Sequence, residues 1–118
     1  MKEINDQQYA ELMGREYNEP GQTPVMVIVF GAKWCQPCRQ MKDRVEKVVE
    51  GLTDVGLVEQ YSVDVERDSD LARHYRMQTI PVTLITSPQS TSQRLITGLV
   101  QEKRIALALL QAREWIGN

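Results

Sequence analysis

The sequence predicts an α/β domain, a central mixed β-sheet of about four strands flanked by about four helices. Three observations carry this. Val25-Met26-Val27-Ile28-Val29-Phe30 is apolar without interruption, as a strand covered on both faces is. Arg39 to Leu52 then alternates charged and apolar residues at helical spacing. A β-branched run, Thr79-Ile80-Pro81-Val82-Thr83-Leu84-Ile85-Thr86, is followed across a polar turn by Arg94-Leu95-Ile96-Thr97, the pattern of a hairpin.

In chain order, residues 5–17 are expected to form an amphipathic helix capped by Asn5 or Asp6, with Tyr9, Leu12, Met13 and Tyr17 on one face. Pro20-Gly21-Gln22-Thr23-Pro24 breaks it and leads into the Val25–Phe30 strand. Gly31 and Ala32 are small, which suits a close approach of backbone. In the next helix Met41, Val45, Val48, Val49 and Leu52 form an apolar stripe. Arg39, Asp43 and Lys47, with Lys42 and Glu46 beside them, face water and pair at i,i+4. Gly51 and Gly56 bracket a break, and Leu57 to Val65 reads as a second strand. Strand, helix and strand in this order imply a right-handed βαβ unit with a parallel pair. Asp68 or Ser69 is expected to cap a short helix through Leu71, Ala72 and Tyr75. The Thr79–Thr86 strand opens on Pro81, and an X–Pro bond at a constrained bend is a candidate for the cis isomer. Ser87 to Gln93 is a polar turn, and the return strand ends at Gly98. From Gln101 onward Ile105, Leu109, Ala112 and Ile116 mark a final helix, with Leu107, Leu110 and Trp115 expected to widen its apolar face against the sheet.

The bulk properties narrow the function. The chain has 118 residues, read as one domain over 1–118 that is long enough for its own core. Lys and Arg total 14 against 16 Asp and Glu, a formal charge of −2, which offers no field for nucleic acid or anionic membranes. No apolar run reaches the roughly 18 residues that span a bilayer. Met1-Lys2-Glu3-Ile4-Asn5-Asp6 has no hydrophobic signal core, which points to the cytoplasm rather than to secretion.

Cys35 and Cys38 are the only cysteines, and they sit in Trp34-Cys35-Gln36-Pro37-Cys38 where the buried strand ends and the helix begins. Helix N-termini carry unpaired N–H groups and a positive dipole end, which favour a thiolate. Pro37 fits there because an early helical residue needs no N–H donor. Arg39, one residue past Cys38, adds positive potential. In a reducing cytoplasm such a pair is catalytic or metal-binding more often than a structural staple. A zinc site needs two more ligands, and among Cys and His only His74 is left. Redox chemistry is therefore preferred, and no metal is expected. His74, between Arg73 and Tyr75, reads as a surface residue. Met26, Met41 and Met77 read as core filler, and Trp115 as a packing residue. Trp34 is assigned to the site by its adjacency to Cys35.

The element order, with Trp34-Cys-x-Pro-Cys38 at the strand–helix junction and Ile80-Pro81 downstream, resembles the thioredoxin fold over nearly the whole chain. Ile80-Pro81 is similar to the family's cis-proline loop, and Thr97-Gly98-Leu99 to the third loop of its substrate groove. The resemblance implies a thiol–disulfide oxidoreductase that reduces protein disulfides through a Cys35–Cys38 dithiol/disulfide couple. Cys35, which begins the helix and is expected to be the more exposed thiol, attacks the substrate disulfide, and Cys38, one helical turn away, resolves the mixed disulfide. Trp34, Gln36, Pro37, Thr79, Ile80, Pro81 and Gly98 then form the substrate-binding surface, where the backbone at Thr79-Ile80 can bond an extended partner. The resemblance further implies that Pro81 keeps metals from the dithiol, that no cofactor is bound, and that a flavin-dependent thioredoxin reductase supplies electrons to a monomer acting on disulfide-containing proteins. Two rivals stand beside this reading: a glutaredoxin-like glutathione-dependent enzyme, and a binding module or processivity partner (for a polymerase, say) whose redox activity is incidental.

The chain departs from the family at several points. Where relatives bury an aspartate it has Val29, and the usual lysine partner aligns near Ser62. Asp43 stands where many carry a kinking proline, and Gly31 where many carry tryptophan. With no carboxylate expected under the dithiol, Cys38 is expected to lose its proton to water or to the leaving thiolate, slowly near neutrality.

Overall fold

Nine elements make up the computed structural model, which describes residues 1–19, 21–52, 56–67 and 70–116. They are β1 (Lys2–Glu3), α1 (Asp6–Met13), β2 (Val25–Gly31), α2 (Gln36–Gly51), β3 (Val58–Asp64), α3 (Asp70–His74), β4 (Val82–Thr86), β5 (Arg94–Thr97) and α4 (Glu102–Ile116). The five strands form one sheet in the order β1-β3-β2-β4-β5. β2 runs parallel to β3 and antiparallel to β4, and β5 closes an antiparallel hairpin with β4. This is the thioredoxin fold, a mixed sheet with helices on both faces.

Every residue of β2 is buried, as its unbroken apolar run requires. Val25, Val27 and Val29 point to the face covered by α2 and α4, where Met41, Val45, Ile105 and Leu109 meet them. Met26, Ile28 and Phe30 point to the opposite face, with Ile4, Val63 and Leu84, under α1 and α3. Full burial of side chains this size stabilises by roughly 1.5–3 kcal/mol each, so β2 is the axis of the core.

The sheet has five strands rather than about four. β1 is only two residues long, too short to display a period, and it lies parallel to β3 with the Ile4 amide donating to the Ser62 carbonyl at 2.8 Å. The first helix is shorter than 5–17. Asn5 caps it through a reciprocal box with Gln8, and Gly14 ends it, its amide donating to the Ala10 carbonyl. Tyr17 therefore lies beyond the face expected to hold it. The expectations for Pro20, Asp68 and Ser69 fall outside the described residues; the Asp70 amide at the start of α3 donates to the carboxylate of Asp6 at 3.3 Å. β4 begins at Val82, after a cis Ile80–Pro81 bond, and not at Thr79. On α4, Leu107, Leu110 and Trp115 are exposed, at 55%, 40% and 37%, instead of packing on the sheet. Ile105, Ala108, Leu109 and Ala112 already supply the inward stripe, Leu107 and Leu110 project from the other side, and Trp115 lies at the stripe's edge. No helix among the described residues is long and apolar enough to cross a membrane.

Beyond the end of α1 the chain turns so that Arg15 grips Glu59 on β3 with both terminal nitrogens, at 2.6 and 3.1 Å. The Tyr61 hydroxyl donates to the same carboxylate at 2.9 Å. The bond from Arg15 holds the Glu59 carboxyl below its ordinary pKa, and burial, then the bond to Glu59, pushes the Tyr61 hydroxyl up to about 12. A depressed folded pKa stabilises above the unfolded value and is lost as pH falls through the folded one. Arg15→Met is thus expected to cost about 1 kcal/mol at neutral pH. Denaturant midpoints from pH 2 to 7 check it: the gap to the parent opens above the unfolded Glu value of about 4.3 and closes in acid. A gap of constant size would assign Arg15 a packing role alone.

Candidate active site

β2 ends at Gly31, and the chain turns through residues 32–34 with the Cys35 amide donating to the Ala32 carbonyl at 3.1 Å. Cys35 is the N-cap of α2, in extended backbone (φ −86°, ψ 107°), and its Sγ accepts the Cys38 amide at 3.2 Å. A cap position normally belongs to an oxygen; here sulfur takes it, accepting the Cys38 amide, while the Arg39 amide donates to the Cys35 carbonyl at 3.3 Å. Pro37 lies in the first turn, where no N–H is missed. Arg39 folds back so that its guanidinium donates to the Lys33 carbonyl at 2.6 Å, holding a positive charge beside the turn. The two cysteines are joined as a disulfide with Cα atoms 5.3 Å apart.

Both thiols are buried, Cys35 at 4% exposure and Cys38 at 1%. Exposure, which was expected to single out Cys35, separates the two only slightly. The cap position distinguishes them more sharply. Beneath them the fold is tight: a Cβ added to Gly31 would stand 2.7 Å from Cys38 Cβ and 2.9 Å from its Sγ. Glycine at 31, where tryptophan stands in many relatives, therefore lets α2 begin directly on the end of β2.

The remaining residues expected at the site fall into two groups. Ile80 packs with Ala32, Cys35 and Cys38 in one small apolar cluster. Pro81 is buried next to it, and its carbonyl accepts the Gly98 amide at 2.8 Å. Gly98 takes φ +85°, a conformation that costs other residues their Cβ clearance. Trp34, 68% exposed, stands with Gln36, Pro37 and Thr79 on the surface around this cluster. Thr79 and Ile80 lie outside the β-ladder. His74 is also exposed, with its ring edge against Tyr75.

Under Cys38 the ladder places Val29 opposite Ser62 on β3 and Thr83 on β4. Val29 is 1% exposed, and the Thr83 hydroxyl is buried with no hydrogen-bond partner among the described residues. A cavity of about 30 Å³ is lined here by Val29, Gly31, Cys38, Lys42, Ser62 and Asp64, among others. Asp64 is buried, and sequence reasoning passed over it. The signal was available: two residues past Ser62 on a strand is the same face of the sheet.

Comparison with known proteins agrees with this geometry. A family model described as Thioredoxin matches residues 3–111. Mitochondrial thioredoxin of Bos taurus is 40% identical over 63 residues, which are 53% of this chain and 36% of that protein. Thioredoxin H2 of Arabidopsis thaliana is 24% identical over 88 residues, 75% of this chain and 64% of that protein. Among solved structures, chloroplastic thioredoxin z superposes with a TM-score of 0.77 at 21% identity, over 96% of this chain and 94% of that one. The chain spans less than half the length of the first curated relatives it matches.

Val29 yields a direct test of the buried layer. Val29→Asp places a carboxyl among apolar side chains, where the neutral form is favoured and the pKa raised. The Thr83 hydroxyl offers it one donor. The variant is expected to be less stable than the parent at neutral pH by roughly 1–3 kcal/mol. With a folded pKa above the unfolded one, its deficit is small below about pH 4 and grows as pH rises through the folded value. Denaturant melts between pH 4 and 9 decide it; a deficit flat with pH would mean the new carboxyl reaches water.

Proposed function

We propose, from the premise that this chain belongs to the thioredoxin family, that it is a thiol–disulfide oxidoreductase that reduces protein disulfides. The observation that carries the reading is Cys35 as the cap of α2, its sulfur accepting the Cys38 amide beside an apolar cluster and an exposed tryptophan. The Cys38 amide that bonds the sulfur in the disulfide, with the positive end of the α2 dipole, stabilises negative charge on it once reduced. Reduced, the pair begins as the Cys35 thiolate and the Cys38 thiol. Cys35 attacks one sulfur of the substrate disulfide, forming a mixed disulfide and expelling the other sulfur as a thiolate. Cys38 then attacks Cys35 Sγ, the bond from Cys35 to substrate breaks, and the substrate leaves with two electrons. The Cys35–Cys38 disulfide remains.

Trp34, Gln36, Pro37 and Thr79 offer the partner an exposed rim, and Ile80, Pro81 and Gly98 its floor. With the backbone at Thr79-Ile80 outside the ladder, an extended substrate segment has a place to pair. In this reading the acting unit is the domain over 1–118, a monomer in a reducing compartment such as the cytoplasm, and a flavin-dependent thioredoxin reductase returns the electrons. Glutathione as donor is the alternative. A binding role with incidental redox activity is favoured only by the exposure of Trp34.

Insulin reduction driven by dithiothreitol tests the activity. The parent is expected to accelerate it, and the variant carrying both Cys35→Ser and Cys38→Ser to fall to the background rate. Equal rates would leave the binding role standing. For the order of attack, Cys38→Ser should accumulate a covalent mixed disulfide with substrate, visible by mass spectrometry, and Cys35→Ser should not. Trapping through Cys38 instead would reverse the assignment.

A further inference from the structure

Resolution of the mixed disulfide requires Cys38 as a thiolate, because the thiol is a poor nucleophile. At 1% exposure Cys38 has no direct path for its proton to bulk solvent. Its inner side, however, adjoins the cavity of about 30 Å³ that reaches β3. A cavity of roughly 10–15 Å³ holds one water, so a water fits between the sulfur and the strand.

Asp64 is the buried carboxylate on that cavity. The ladder explains its position. Asp64 pairs with Gly31, whose added Cβ would lie 2.9 Å from Cys38 Sγ, and the Val65 amide fixes this rung by donating to the Gly31 carbonyl at 2.9 Å. One carboxylate oxygen, Oδ1, accepts the Glu66 amide at 3.0 Å, which leaves Oδ2 to meet a water. Other charged groups reach the cavity from each neighbouring element: Glu3 from β1, Lys33 from the turn and Lys42, half-buried, from α2. Glu3 is exposed and engaged with Arg67 at 3.2 Å. Val29 has no proton to exchange, and Ser62 offers only a hydroxyl.

We infer, building on the reductase reading above, that Asp64 receives the Cys38 proton through a water in this cavity during resolution. The step balances. The Cys38 S–H bond breaks and its proton passes by way of the water to the Asp64 carboxylate. The Cys38 thiolate attacks Cys35 Sγ, the bond from Cys35 to the substrate sulfur breaks, and the substrate thiolate leaves with the electron pair to be protonated by solvent. Asp64 returns its proton to water once the disulfide has closed. Lys42 and Lys33 offset the carboxylate charge in the cavity.

Two measurements on the full chain test this. In the first, release of reduced substrate from a preformed mixed disulfide is followed in a single turnover from pH 5 to 10. Asp64→Asn, which keeps an oxygen for the Glu66 amide, is expected to slow release roughly 100-fold at pH 7, with the deficit shrinking as hydroxide takes over. In the second, Cys38 is titrated by its ultraviolet thiolate absorbance in a Cys35→Ser background. Removing a neighbouring negative charge should move the Cys38 midpoint down, by on the order of one unit or less. More thiolate together with slower release is the mark of proton transfer, since a purely electrostatic or structural role for Asp64 does not give that opposition. Asp64→Ser, which also retains an acceptor, is read in the same way. Release that is unchanged, faster, or slower by the same factor at every pH overturns the assignment. A parent that never releases substrate overturns the reductase reading and this step with it, whereas a parent that does so alongside an unaffected Asp64→Asn overturns this step alone.

Discussion

The site depends on how closely α2 begins above the end of β2. Gly31 allows the backbone of the strand to lie against Cys38, within 2.7 Å of where a side chain would start. That contact buries Cys38, brings Cys35 to the cap position and sets the first turn of α2 over the far end of β3. A larger residue at 31 would have to push α2 outward, and with it both sulfurs. The apolar run of β2 is what makes so close a junction stable, because the strand is held on each face by a separate core cluster. Local chemistry at the cysteines is thus inherited from burial several residues upstream.

Burial of both sulfurs has a cost in access and a gain in control. Ile80 and Ala32 pack against both sulfurs, so under the proposed reductase reading a partner reaching Cys35 would lie on them, coupling binding to reactivity by shape. Within the site, the polar groups that remain are few and directional: the Cys38 amide on the Cys35 sulfur, the Gly98 amide on the Pro81 carbonyl, the Arg39 guanidinium on the turn. The Cys38 amide bond is buried, and in such a low-dielectric setting a single group acts strongly. With Val29 apolar under the dithiol, the charged groups nearest it are Asp64 at the end of β3 and Lys42 on α2, both on the cavity beside Cys38.

Much of this was legible in the sequence because it follows from long patterns. Seven buried residues in β2, the stripe of α2 and the return strand Arg94–Thr97 all announce themselves by period and composition. The cysteine pair and Ile80-Pro81 were legible because few residue types suit those places. What escaped was set by tertiary contacts. β1 is two residues long and exists through its bonds to β3. The turn after α1 carries Arg15 to Glu59, a partner far along the chain. The outward turn of Leu107 and Leu110 could not be separated from inward packing, since α4 carries more apolar residues than one stripe can bury. Asp64 looks like one more acid at the end of a strand until the ladder pairs it with Gly31.

The pairing of β2 with β4 also governs when the site comes into being. The cysteine turn belongs to the β2–α2–β3 half, whereas the Ile80–Pro81 bend that covers it belongs to the β4–β5 hairpin, and the two halves meet along a ladder from Met26 opposite Thr86 to Phe30 opposite Val82. That ladder joins residues 52 to 60 apart, against 33 for the parallel β2–β3 ladder, so its loop-closure entropy is the larger. During synthesis the thiols are therefore made before their cover. In that interval they lack the Ile80–Pro81 cover and are open to oxidants and to chance cross-linking with other chains, and under the proposed reductase reading only the arrival of the hairpin would make the dithiol answer to a docked partner.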